Sequence, residues 1–147
     1  MIFLSSLFNT FLFSGKSPIA PGTVGSFAAL VFCFFFLPSY ELKLVFIFSF
    51  TLLSYITISY ELKASKEQDP QHIVIDEVIG MWIALLFIPS NNISYMVLAF
   101  IIFRFLDILK PSIINRIQNI KGAFGILLDD MACGFITSII LLGIVSL

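Results

Sequence analysis

Apolar residues in this chain run in long stretches that are separated by short polar joints. An α-helix needs roughly 17–25 residues to cross the ~30 Å hydrocarbon core of a bilayer. Five stretches approach that length, at residues 24–37, 42–60, 73–88, 93–109 and 125–147. The pattern therefore predicts an all-α, multi-helical integral membrane bundle with about five spans, formed as a single domain over residues 1–147.

The joints between these stretches differ in character. Residues 14–26 are rich in Gly, Pro, Ser and Thr, which predicts a structured loop leading into a helix capped by Thr23 or Ser26. Residues 110–122 carry Ile at helical spacing with polar residues between, which is typical of an amphipathic helix on a membrane surface. Residues 1–13 are apolar but too short to span, so we expect an interfacial or re-entrant segment.

Composition supports the membrane prediction. Hydrophobic residues make up 59% of the chain and charged residues 12%, whereas ordinary soluble domains carry about 25% charge. The net charge of −1 offers no basic surface for nucleic acid. Cys33 and Cys133 lie far apart in apolar runs without metal-ligand spacing, so we interpret them as buried helix residues.

The distribution of basic residues predicts the orientation of such a bundle. With five crossings, the joints at residues 14–26, 61–71 and 110–122 fall on one side. Seven of the eight basic residues then lie on that side, and the remaining one, Lys43, lies on the other. Basic residues concentrate on the cytoplasmic side of membrane proteins, so this side is predicted to be cytoplasmic, in the cytoplasmic (inner) membrane.

Acidic side chains gather on the same predicted face. Asp76 and Glu77 begin the third stretch, Asp107 ends the fourth, and Asp129 and Asp130 begin the fifth. Such carboxylates would repel one another unless a hard cation neutralised them, and Mg²⁺ commonly sits between carboxylates and a substrate phosphate. The alternative for each pair is an interfacial anchor or a helix N-terminal charge.

Basic and small polar residues could bind a phosphate on this face. Arg104, Asp107 and Lys110 share one arc of a helix, so Arg104 and Lys110 could grip a phosphate, although Arg104 and Asp107 could simply pair with each other. In the 14–26 loop, glycine backbone amides and the side chains of Lys16, Ser17 and Thr23 could also approach an anion.

Several other phosphatase chemistries are excluded. His72 is the only histidine, so a two-histidine mechanism cannot be built, and we interpret His72 as a polar loop residue. Neither cysteine is followed by the arginine that a cysteine phosphatase requires. Water activated by a metal, with a carboxylate as base, remains.

Four blocks of the sequence resemble the phosphatidylglycerophosphatase A family in the family's order. They are SGKSPIAPGTVGS (14–26), IVIDEVIGMW (73–82), FRFLDILKP (103–111) and GAFGILLDDMACG (122–134), within a resemblance over residues 10–142. The resemblance implies an all-helical, Mg²⁺-dependent phosphatase that converts phosphatidylglycerophosphate to phosphatidylglycerol in the cytoplasmic membrane.

Motif by motif, the resemblance places functional residues in the acidic and basic blocks. We expect Asp76, Glu77, Asp129 and Asp130 to bind Mg²⁺. Catalytic roles are expected of Glu77, Asp107, Asp129 and Asp130, and phosphate binding of Lys16, Ser17, Thr23, Arg104 and Lys110.

The expected partner is a phospholipid of the inner leaflet, and a homo-oligomer is possible. Two other classes stay open, namely a small membrane carrier with carboxylate ion sites and a non-catalytic scaffold for lipid-synthesis enzymes. A carrier would spread its charges through the bilayer depth, whereas here they cluster on one face.

Overall fold

The computed structural model describes residues 2–64, 70–111, 114, 117 and 120–145. Within these residues the fold is all-helical, with six α-helices and no strand, which confirms the predicted all-α class. A 3₁₀ turn at Ser14–Lys16 joins the first two helices. The helices are α1 (Ile2–Asn9), α2 (Pro21–Phe36), α3 (Tyr40–Ala64), α4 (Ile75–Ala84), α5 (Ile93–Leu109) and α6 (Ala123–Val145).

Two of the described helices, α3 and α6, are long and apolar enough to cross a membrane. The prediction of five such spans is therefore wrong in number. At 1.5 Å per residue, the 10-residue α4 is only about 15 Å long, because the chain leaves the helix after Ala84, well before Pro89. α2 has 16 residues, and α5 carries Arg104 and Asp107 in its last two turns, which shortens its apolar part.

The short helix α4 forms the centre of the protein. Nine of its ten residues are buried, and it packs against α2, α3, α5 and α6. Trp82 anchors this packing: its indole N–H donates to the Ala29 carbonyl at 3.0 Å. The rings of four phenylalanines lie with their centroids 5.0–6.0 Å from the Trp82 ring: Phe11, Phe32, Phe46 and Phe50. Beyond its acidic first turn α4 is apolar on all sides, and such a helix can lie in a protein core or in lipid. The sequence of α4 therefore resembles that of a membrane span.

Two glycines let α4 and α6 approach closely. A Cβ atom at Gly134 would lie 2.2 Å from the Gly80 carbonyl oxygen, and one at Gly80 would lie 2.6 Å from the Asp130 carbonyl oxygen. Only hydrogen fits at these two positions without moving a backbone. The contact therefore fixes the distance between the acidic residues of α4 and those of α6.

The outer surfaces of α3 and α6 are apolar. Phe48, Leu52 and Ile56 on α3 and Phe135 and Ile139 on α6 are large and exposed. Soluble monomers rarely expose apolar patches of this extent, whereas a bilayer accepts them. This surface, together with the two long apolar helices, fits a membrane-associated protein.

The loop before α2 differs from its prediction in how it ends. The helix begins at Pro21 after Ala20, which adopts a left-handed conformation (φ 47°) and provides no side-chain cap. The predicted cap by Thr23 or Ser26 is therefore wrong, since both lie inside the helix and the Ser26 hydroxyl donates to the Gly22 carbonyl at 2.7 Å. Proline suits the first helical position because its missing N–H would have no partner there.

The two other polar joints, predicted at residues 61–71 and 110–122, are only partly described. α3 continues through Ala64, so the joint predicted at 61–71 starts as helix, and residues 65–69 lie outside the described residues. Six of the 13 residues of the amphipathic helix predicted at 110–122 also lie outside them. At the N-terminus, α1 packs against α3.

Candidate active site

Carboxyl groups from three helices meet at one end of the bundle. Asp76 and Glu77 belong to the first turn of α4, Asp107 to the last turn of α5, and Asp129 and Asp130 to the second turn of α6. We call these five residues the acidic cluster. Asp76, Asp107, Asp129 and Asp130 are all buried, which is rare for carboxyl groups unless they are paired or hold a cation.

The ligand atoms of the cluster form two overlapping groups. Carboxylate oxygens of Asp76, Glu77 and Asp130 lie within 4.8 Å of one another. Oxygens of Asp107 and Asp130 and the sulfur of Cys133 form a second group within the same limit. Asp130 belongs to both groups and is therefore the central carboxylate of the cluster.

Two basic side chains border the cluster. Arg104 Nη1 donates to Asp107 Oδ2 at 2.6 Å and reaches the Ser26 hydroxyl at 3.4 Å. Lys110 Nζ donates to Asp129 Oδ2 at 2.6 Å. The Arg104–Asp107 pair is the alternative that the sequence left open, and both side chains are largely buried. Among the described residues, neither cation forms an ion pair with Asp76, Glu77 or Asp130, although the charge of Arg104 acts on Glu77.

Buried polar atoms in the cluster lack partners. Asp76 Oδ1, Glu77 Oε2 and Arg104 Nε make no hydrogen bond although each is shielded from solvent. The carboxyls of Asp76 and Glu77 contact each other, as do those of Asp107 and Asp130. Burying an unpaired polar atom costs about 1–3 kcal/mol, a cost that a cation bound beside the carboxylates would offset.

The electrostatic cost of the cluster appears in its pKa values. Burial raises the pKa of Asp76 well above its usual range, and the neighbouring Glu77 and Asp130 raise it further. Burial also raises the pKa of Glu77. For Lys110 burial acts to lower the pKa, but the hydrogen bond and the charge of Asp129 outweigh it, and the pKa rises overall.

The donor set fits a hard divalent cation. Three carboxylates with two unpaired oxygens at the Asp76/Glu77/Asp130 group offer oxygen ligands and excess negative charge, which Mg²⁺ prefers. The Asp107/Asp130/Cys133 group adds a softer thiol ligand beside it. Asp129, predicted as a metal ligand, lies outside both groups and instead pairs with Lys110.

The predicted phosphate-binding residues divide into two sets. Arg104 and Lys110 border the acidic cluster. Among the described residues, no hydrogen bond or ion pair joins Lys16, Ser17 or Thr23 to it. The 14–26 loop nevertheless approaches the cluster through Gly22, where an added Cβ would lie 2.2 Å from Glu77 Oε1 and 3.4 Å from Arg104 Nη1.

Sequence reasoning missed two features of this end of the bundle. Cys133 lies three residues after Asp130 on α6, so its place on the same helix face could have been inferred from spacing alone. His72 contacts Glu61 through Nε2 at 2.6 Å, a pairing of residues from different segments that no local pattern reveals.

Buried carboxylates flanked by an arginine and a lysine, at one end of a helical bundle with an apolar outer surface, form a site whose composition suits a phosphate group. The chain belongs to the phosphatidylglycerophosphatase A family, whose model matches residues 7–145.

Three named proteins are similar over most of their length. An Escherichia coli phosphatidylglycerophosphatase A is 40% identical over 87% of this chain and 76% of its own length. The Haemophilus influenzae protein of the same name is 33% identical over 89% and 82%. A Bacteroides thetaiotaomicron protein, named as a candidate phosphatidylinositol-3-phosphatase, is 36% identical over 95% and 92%. No solved structure matches the chain significantly.

Proposed function

We propose that this chain is a membrane phosphatase that hydrolyses the terminal phosphomonoester of phosphatidylglycerophosphate to phosphatidylglycerol and phosphate. The observation that carries the proposal is the acidic cluster with Arg104 and Lys110 at its border. Membership in the phosphatidylglycerophosphatase A family supports the substrate.

The cation that we propose for this site is Mg²⁺. Asp76, Glu77 and Asp130 would hold it, with Asp107 and Asp129 next to them. When bound, Mg²⁺ would offset the charge of the phosphate and lower the pKa of a coordinated water. Support for the fit comes from Asp76 Oδ1 and Glu77 Oε2, which are buried and have no hydrogen-bond partner among the described residues.

The protein's own side chains would supply the remaining chemistry. Arg104 and Lys110 would neutralise phosphate oxygens as charge develops in the transition state. Arg104 Nε has no partner and is free to donate once a phosphate arrives. Asp107, or a carboxylate of the acidic pairs, would accept the proton of the attacking water, and Asp107 lies beside Asp130 at the centre of the cluster.

We place the protein in the cytoplasmic membrane as a multi-pass protein with the acidic cluster at the cytoplasmic face. The length and apolar surface of α3 and α6 support crossings there. The basic side chains that border the cluster, Arg104 and Lys110, support the orientation. A phospholipid of the inner leaflet would then present its headgroup directly at the site.

A second substrate follows from the Bacteroides relative, whose name describes removal of a phosphate from an inositol lipid. Both lipids carry a phosphomonoester on a polyol headgroup, so the acidic cluster could serve either. The two differ in the bulk of the polyol rather than in the bond that breaks. Substrate choice would therefore depend on the space beside the cluster.

An assay of phosphate release tests the proposed function and its cation together. We expect purified protein in detergent micelles to release phosphate from phosphatidylglycerophosphate faster than from phosphatidylinositol 3-phosphate. EDTA should reduce release more than a hundredfold, and Mg²⁺ in excess of EDTA should restore it. The reverse order of the two lipids would assign the inositol lipid, and release that is unaffected by EDTA would refute the proposed cation.

A further inference from the structure

A polar cavity lies at the same end of the protein as the acidic cluster, but outside the cluster. It has a volume of about 620 Å³ and is open to the outside. The 3₁₀ turn and the loop before α2 form one wall, and the segment before α4 forms the other. Its lining residues are Gly15, Lys16, Ser17, Pro18, Pro21, Gln71 and His72.

Lys16 is the cation of this cavity. It ends the 3₁₀ turn, and its ammonium group lies 4.9 Å from the centre of the Phe13 ring. The chain turns sharply here, because Phe11, Leu12 and Phe13 all adopt left-handed conformations. Phe11 is buried among aromatic rings, which fixes the turn in place. Lys16 is thus presented at the cavity by an ordered turn.

His72 is held on the opposite wall by a chain of hydrogen bonds. Its Nε2 contacts Glu61 Oε1 at 2.6 Å, and the other Glu61 oxygen accepts from the buried side chain of Asn9. Thr57 donates to Asn9 Oδ1 at 2.6 Å. Both oxygens of Glu61 are thus occupied, and the residues that line this wall of the cavity, Gln71 and His72, bring no carboxylate to it.

The cavity adjoins the acidic cluster across the first residues of α2. Pro21 lines the cavity, and the next residue, Gly22, lies against Glu77 and Arg104. Gly15, which also lines the cavity, packs equally tightly against the segment before α4, since a Cβ at Gly15 would lie 2.1 Å from the His72 carbonyl oxygen. One molecule could therefore place one group at the cluster and another in the cavity.

We infer that this cavity binds the phosphodiester of the lipid substrate, the phosphate that remains in the product, while the acidic cluster takes the phosphomonoester. This inference rests on the proposed function, in which the substrate carries two phosphates joined by a single glycerol. Lys16 neutralises the diester charge, and Gln71 and His72, which also line the cavity, offer polar groups to the phosphate or the glycerol hydroxyl. Lys16 and Ser17 thus act on the retained phosphate, not the departing one.

Each of the two products carries one of the two phosphates of the substrate. The binding of each product therefore tests the inference without turnover. Isothermal titration of the protein in detergent with Mg²⁺ uses two ligands, short-chain phosphatidylglycerol and inorganic phosphate. We expect Lys16→Gln to raise the Kd for phosphatidylglycerol about tenfold and to leave that for phosphate within twofold. Lys16→Arg should restore phosphatidylglycerol binding to within about threefold, because it retains the charge.

Lys63→Gln is the matched control, since Lys63 is an exposed lysine at the end of α3 and does not line the cavity. It should change neither Kd. The inference is overturned if Lys16→Gln leaves phosphatidylglycerol binding unchanged, or if it weakens phosphate binding as well. It is also overturned if the wild-type protein does not bind phosphatidylglycerol. Hydrolysis of phosphatidylglycerophosphate is measured separately on wild type, so a failure of the proposed function remains distinguishable.

Discussion

Replacing Asp130 by Asn is expected to reduce phosphate release from phosphatidylglycerophosphate by about a thousandfold. Asp130 belongs to both ligand groups of the acidic cluster, so its loss removes an oxygen ligand and a negative charge from each. Asparagine has nearly the same size, and its side chain fits the buried position without a cavity. The rate of phosphate release at saturating Mg²⁺ measures the effect.

Glu41→Gln provides the control for this substitution. Glu41 is an exposed carboxylate in the first turn of α3, outside the acidic cluster, so the same loss of charge should leave the rate within twofold. Helical content and thermal midpoint should match wild type in both variants. Activity of Asp130→Asn within tenfold of wild type would show that the cluster is not the catalytic site.

Substitution of Gly134 by Ala is expected to cause the second-largest loss. The added methyl would lie 2.2 Å from the Gly80 carbonyl oxygen, and a backbone atom cannot move aside as a side chain can. Overpacking of this kind typically costs about 1–3 kcal/mol. Because α4 and α6 would separate, Asp76 and Glu77 would move away from Asp130, and activity should fall at least about thirtyfold even in the folded fraction.

Gly143 offers a matched control on the same helix. An added Cβ there meets no atom within 4 Å, so Gly143→Ala should keep full activity. It should raise stability slightly, since alanine favours a helix over glycine by about 0.5–1 kcal/mol. Thermal midpoints and phosphate release of the two variants, measured side by side, check both statements. Equal behaviour of Gly134→Ala and Gly143→Ala would contradict the close packing of α4 and α6.

The helical class and the gathering of carboxylates were accessible from sequence. Long apolar runs without strand periodicity predict helices, and acidic pairs at the starts of two runs predict that their charges lie at helix ends. In the structure, Asp76, Glu77, Asp107 and Asp130 do approach one another. Their catalytic and metal-binding roles stay predictions.

The number of spans was not accessible, for a physical reason. A helix buried by protein and a helix buried by lipid have the same apolar composition, and α4 is buried by protein on every side. The sequence also did not show that Lys16 lies apart from the acidic cluster. The turn at Phe11–Phe13 that positions Lys16 depends on packing against Phe32 and Trp82. Contacts between distant segments, such as His72 with Glu61, leave no local signal.

Direct measurement of cation binding tests the central claim that carboxylates of α4 and α6 together hold a divalent ion. Mn²⁺ replaces Mg²⁺ at oxygen sites and its electron paramagnetic resonance signal reports the free ion. Titration of EDTA-stripped wild type should show saturable binding of Mn²⁺ that Mg²⁺ displaces, and Asp130→Asn should lose it while Glu41→Gln retains it. Equal Mn²⁺ binding by wild type and Asp130→Asn, or none by wild type, would contradict the account.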